Sequence, residues 1–167
     1  MMDLPPLERI QEALGEVVSG GGEFAELFFE SRLQRTIGCE DGRIERITSG
    51  SDAGFGLRVI NGDRTAYGYS NRIEPEELIR LGRAVLADID RGSGDFRRPS
   101  EPARGGTSGI ERPAGAVPLE EKVSLVMEAD RAARKVSDEI TQVRVSFSEF
   151  VQKVAVFNSE GDAASDD

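Results

Sequence analysis

The sequence contains no histidine. That removes the most frequent general base, the commonest metal ligand and the base partner of a serine or cysteine nucleophile. It holds one cysteine, Cys39, so no internal disulfide can form, a usage that suits a reducing cytoplasm. One cysteine without histidine also leaves a zinc site of the usual Cys/His type without ligands. No run of about 18 apolar residues occurs, which excludes a transmembrane helix. The acidic, proline-bearing start at 1–9 lacks the basic-then-apolar pattern of a secretory signal. Basic residues are also short, 21 against 31 acidic, for a net charge of −10. That balance argues against binding to phosphate backbones or anionic membrane surfaces; solubility accounts for it.

What is present is a chain of 167 residues with 38% hydrophobic content, enough for one ordinary domain with a real core. Leu7, Ile10, Leu14 and Val17 recur at helical spacing and predict a helix over 5–18, with Asp3 as its cap and Ser19-Gly20-Gly21-Gly22 as its stop. A long strand follows, with Leu27, Phe29, Leu33, Ile37 and Cys39 on one face and a bend or bulge near Ser31. Asp41-Gly42 marks a hairpin, and a return strand carries Ile44 and Ile47. A third strand over 53–60 and a fourth over 64–70 flank a turn at Asn61-Gly62. Their small faces, Gly54 and Gly56 on one strand, Ala66 and Gly68 on the other, are expected to align under a helix, with Tyr67 and Tyr69 turned inward. Helices over 75–89 and 118–136 enclose an aperiodic Gly/Pro/Ser-rich loop at 90–117. In the last helix, Leu119, Val123, Val126, Ala129 and Ala133 are expected to face inward. Two strands follow, the second over 151–157, then a turn at Asn158-Ser159-Glu160-Gly161 and an acidic tail at 162–167. The order α-ββββ-α-loop-α-ββ implies an α/β (α+β) fold with a largely antiparallel or mixed sheet covered by about three helices. The domain proper is 1–161. The 151–157 strand is expected at a sheet edge, where Val154, Val156 and Phe157 would drive self-association.

No constellation in the sequence carries chemistry, so no catalytic, cofactor-binding or metal residue is assigned. Gly54-Phe55-Gly56 lacks the last glycine of a dinucleotide loop and opens a strand. Gly20-Gly21-Gly22 follows a helix, as a C-cap does. Gly105-Gly106-Thr107-Ser108-Gly109 has no following lysine. Glu76-Glu77 and Glu120-Glu121 occupy first helical turns, where the helix dipole favours them; Glu40-Asp41 and Asp166-Asp167 are further acidic pairs. Cys39 reads as a buried strand residue whose neighbours Glu40 and Asp41 disfavour a reactive thiolate.

The linear pattern is more specific. Phe24-Ala-Glu-Leu-Phe-Phe-Glu, Glu40-Asp-Gly-Arg-Ile-Glu, Gly54-Phe-Gly-Leu-Arg-Val-Ile and Asp63-Arg-Thr-Ala-Tyr-Gly-Tyr-Ser together resemble the N-terminal domain of the TldD/PmbA family. Leu119-Glu-Glu-Lys and Val154-Ala-Val-Phe-Asn-Ser-Glu-Gly are similar to that domain's second part. The Gly-x-Gly-x-Arg-Val run favours the TldD branch. The resemblance implies a cytoplasmic zinc metallopeptidase, formerly labelled a modulator of DNA gyrase, that acts with a PmbA-like (TldE) partner on small ribosomal peptides. Its zinc motif, His-Glu-x-x-x-His, lies beyond the matched region, so no zinc is expected in this chain and no family site residue transfers to it. The chain alone is expected to be inactive, contributing to a substrate cleft and a dimer contact. Its expected partners are its own C-terminal catalytic domain, a TldD/PmbA-type subunit in a homo- or heterodimer, and peptide substrate. The alternatives are a non-catalytic PmbA/TldE-like partner subunit or a stand-alone binding module.

Overall fold

In the computed structural model, residues 3–89, 94–105 and 111–166 are described. Helix α1 (Leu7–Ser19) leads into the long strand β1 (Phe24–Glu40). Strands β2 (Arg43–Asn61) and β3 (Arg64–Ser70) follow, then α2 (Pro75–Ala87) and the two-residue β4 (Ala103–Arg104). A 3₁₀ turn (Ala114–Ala116) precedes α3 (Leu119–Arg134), β5 (Arg144–Asn158) and β6 (Ala163–Asp166). The strands form one six-stranded sheet in the order β3-β2-β1-β5-β6-β4. The β2–β3 and β5–β6 pairs are antiparallel; only the short β4 runs parallel to its neighbour β6. The fold is therefore the α/β class with a largely antiparallel sheet that the hairpin signals imply.

Two compact units share these strands. The first is Met1–Ser31, Asp52–Thr107 and Gln152–Asp167; the second is Arg32–Ser51 and Ser108–Val151. In the first, Ile10, Leu14 and Val17 of α1 and Leu78, Leu81 and Val85 of α2 are buried with Leu27, Phe29, Leu57, Val59 and Phe157 from the sheet. Phe29 meets the Phe55 ring at 5.7 Å and the Phe157 ring edge-on at 6.0 Å. In the second, the apolar cluster is Ile37, Cys39 and Val126, with Val123, Met127, Val145 and Phe147 packed around it.

Several expectations need correction. The return strand and the third strand are one continuous β2, and the two strands expected over 143–157 are one continuous β5. Burial keeps the same parity from Ala25 to Cys39, as one uninterrupted strand requires. No side chain caps α1, which Pro6 precedes, so Asp3 does not play that part. β5 lies between β1 and β6, not at an edge, and Phe157 is core, so the expected sticky edge there does not exist. Tyr67 and Tyr69 are 63% and 78% exposed. The register explains this: Leu57 faces Gly68 and Val59 faces Ala66, while Gly56 faces Tyr69. Large residues of β2 thus meet small ones of β3 on the helix side, while on the other Gly56 meets Tyr69 and Arg58 meets Tyr67. Gly68 lies under Leu81 and Val85 of α2 as expected, but Gly56 lies under the Tyr67 ring instead.

Within 90–117, residues 90–93 and 106–110 fall outside the described residues. The remainder is anchored. Phe96 seats on Gly15 of α1, Arg97 N donates to Ser159 O at 2.7 Å, and β4 adds to the sheet. Ala163–Asp166, read from sequence as tail, pairs with β5.

Candidate functional site

The side chains that stand out are ones the apolar pattern of α3 obscured. Its inward face buries Lys122, Val126 and Asp130, while Leu119 and Ala129, expected inward, are exposed. Lys122 is 2% exposed. Its Nζ donates to Glu149 Oε1 of β5 at 2.5 Å and to the Ala114 carbonyl at 2.7 Å. Arg35 Nη1 of β1 donates to the same carboxylate oxygen at 2.8 Å. A buried ammonium tolerates this position because a carboxylate and a carbonyl replace its water.

At the other end of α3, a second cluster holds the β1–β2 turn. Asp41 and Gly42 both have positive φ, 48° and 74°, the geometry of a tight hairpin turn. Asp130 Oδ1 accepts from Gly42 N at 3.2 Å. Arg134 donates to Asp130 at 3.2 Å and to Asp41 at 2.5 Å. Asp41 also accepts from Val143 N. The Arg134 guanidinium, and after it the Val143 amide, hold the Asp41 carboxyl below its ordinary range. The buried polar atoms of both clusters are satisfied by partners within the structure, around a small apolar centre. The spacing 122, 126, 130 could have signalled them, since one face of α3 carries a lysine and an aspartate beside a valine.

Glu76-Glu77 and Glu120-Glu121 stand in the first turns of their helices, as expected. Glu77 accepts two hydrogen bonds from Arg80, at 2.7 and 2.6 Å. With the Ser70 hydroxyl, these lower its carboxyl from 4.5 to about 2. Glu121 pairs twice with Arg112, which lowers its pKa. Glu40 pairs with Arg144 at 2.9 Å. Cys39 is buried with Sγ 3.9 Å from Met127 Sδ. Gly54 and Gly56 lie within β2. Gly20 is the C-cap of α1, and Gly21 has a φ of 125°.

Two surface features remain. An open groove of about 470 Å³ is lined by Arg9 of α1 and by Pro75, Glu76, Ile79, Arg80 and Arg83 of α2. Each of its arginines is already paired, with Glu12, Glu77 and Glu16. The helix-free face of the sheet carries Tyr67 and Tyr69, 6.5 Å apart, and Arg58, which pairs with Glu26 and lies 6.0 Å over the Phe24 ring. Among the described residues, no group of three or more His, Cys, Asp or Glu could hold a metal. No described helix is long and apolar enough to cross a membrane.

Comparison with known proteins supplies the family. Residues 25–88 match the PmbA/TldA metallopeptidase domain 1, and residues 112–167 match the PmbA/TldA metallopeptidase central domain. The chain belongs to the PmbA/TldD family. The metalloprotease TldD homologue of Haemophilus influenzae is 28% identical over 149 residues, covering 86% of this chain and 30% of that protein. A Methanothermobacter thermautotrophicus metalloprotease is 29% identical over 146 residues, covering 83% and 30%. In fold, the chain is similar to the Thermotoga maritima protein labelled a modulator of DNA gyrase, with a TM-score of 0.72 at 16% identity over 95% of this chain and 36% of that one. It is also similar to TldE of Thermococcus kodakarensis, with a TM-score of 0.60 at 14% identity over 95% and 37%. The PmbA/TldD chain thus spans about a third of the length of these relatives.

Proposed function

We propose that these residues form the non-catalytic N-terminal part of a TldD-like metallopeptidase, shaping one wall of a substrate cleft and a subunit contact for proteolysis of small peptides in the cytoplasm. The observation that supports it is an ordered match to the family's first and central domains in a chain without histidine. A zinc ion does not fit the residues present: the single cysteine is buried against Met127, and the aspartates and glutamates nearest one another are committed to arginine, lysine and backbone partners. Catalysis then belongs to a segment outside this match, and the chain's role is to position peptide and partner. A TldE-type, non-catalytic subunit is the second reading, favoured by the likeness in fold to TldE.

The purified chain, incubated with zinc and unfolded peptides, is expected to show no cleavage above a metal-free blank. Chelator-sensitive turnover by the chain itself would overturn the reading. Binding of a TldE-type subunit in sedimentation would support the TldD-like reading. Binding only of a TldD-type subunit would favour the second, and binding of neither would favour a stand-alone module.

A further inference from the structure

We propose that the second unit opens as a cooperative body while the first stays folded, and that two charge clamps on α3 set how often it does so. The inference is independent of the family reading. Among the described residues, the apolar cluster of the first unit holds eighteen buried residues and that of the second holds three. β2 is exposed on both faces from Glu45 to Ala53. Ile47 is 44% exposed. Opening the second unit therefore uncovers little apolar surface, and regions of that kind open locally at less than the global unfolding free energy.

Charge holds this unit where apolar contact is thin. Lys122 joins α3 to Glu149 of β5, and Glu149 in turn holds Arg35 of β1. Asp130 and Arg134 join α3 to the turn at Asp41 and Gly42. In the closed state these groups exchange water for each other; in the open state Lys122 and Asp130 regain hydration. Release of α3 is thus compensated at both ends, whereas the buried carboxylate of the first unit, Glu77, pairs with Arg80 of its own helix. Removing one partner of a clamp shifts the balance strongly, because the closed state then buries an unpaired charge.

The chain carries its own reporter. Cys39, its lone thiol, is 1% exposed inside the three-residue cluster. Thiol labelling under native conditions reads opening of the second unit, and amide exchange at Leu14, Phe29 and Leu78 reads the first. Cys39 is expected to label faster than global unfolding allows, with those three amides still protected. Labelling of Cys39 only at the opening rate of the three amides would overturn the proposal, and this comparison needs no variant. Glu149→Gln, which strands the Lys122 charge, is expected to speed Cys39 labelling about a hundredfold and leave first-unit exchange unchanged. Equal acceleration of both would show a single cooperative body and sink the idea. Lys122→Met, which leaves Glu149 its Arg35 partner, is expected to have the smaller effect.

Discussion

A Cβ added to Gly68 would sit 2.7 Å from Val85 Cγ2 and 2.8 Å from Leu81 Cδ1, inside the sheet–α2 contact. Gly68→Val should therefore overpack this contact and cost about 1–3 kcal/mol in denaturant unfolding. Gly56→Ala is the contrasting case. Its Cβ would meet the hydroxyl end of Tyr67, but that ring is 63% exposed and can swing into solvent. The change should stay within about 0.5 kcal/mol; a large loss would mean the ring is fixed. At Glu77 the residue scale reaches pH. Its folded carboxyl titrates near 2 against an ordinary 4.5, through Arg80 first and Ser70 second. A carboxylate held low contributes stability that is complete above 4.5 and is lost as pH falls through about 2. Unfolding midpoints followed from pH 6 to 2 should drop across that window, and Glu77→Gln should flatten the drop. An identical pH profile in the variant would remove Glu77 as a cause.

Elements were legible where their signals are local. α2 begins at Pro75 as predicted, the Asp41-Gly42 and Asn61-Gly62 turns stand where their dipeptides lie, and α1 starts two residues later than its apolar period suggests. Two features were not legible. Separate strands were expected around Ile47 and from Ala53, yet β2 runs through Gly50-Ser-Asp because pairing in a long hairpin overrides local preference. Alternation in β3 defines two faces without saying which is inward, and the answer lies in the partner strand's large residues and in α2. Lys122 and Asp130 escaped notice for a related reason. The spacing 122, 126, 130 puts both on one helix face, but their partners, Glu149 and Gly42, lie 27 and 88 residues away. Turn geometry gives the element-scale prediction. Gly42 holds a φ of 74° and has room for a Cβ, the nearest atom being Asp130 Oδ2 at 3.6 Å. Gly42→Ala should thus cost the left-handed strain alone, about 1–2 kcal/mol. A larger loss, with Cys39 exposed, would mean the turn also governs α3 docking.

At the scale of the whole molecule, equilibrium unfolding should not be two-state. Far-UV dichroism, dominated by the larger first unit, and Cys39 accessibility, which reports the second, are expected to give separate midpoints in urea, with Cys39 first. Coincident curves would argue for one transition. The sheet order carries a further consequence, for the chain during its synthesis. β1 is flanked by β2, its neighbour in sequence, and by β5, whose Gln152 bonds a Glu30 that lies 122 residues earlier. A ribosome adding about 5–20 residues per second needs roughly 6–24 s to cover that separation. For that interval the β1–β2–β3 hairpins can form while one side of β1 displays a row of unsatisfied amides and carbonyls. The nascent chain therefore passes through a stage in which the future middle of its sheet is a bare edge, open to capture by any extended segment that arrives before β5.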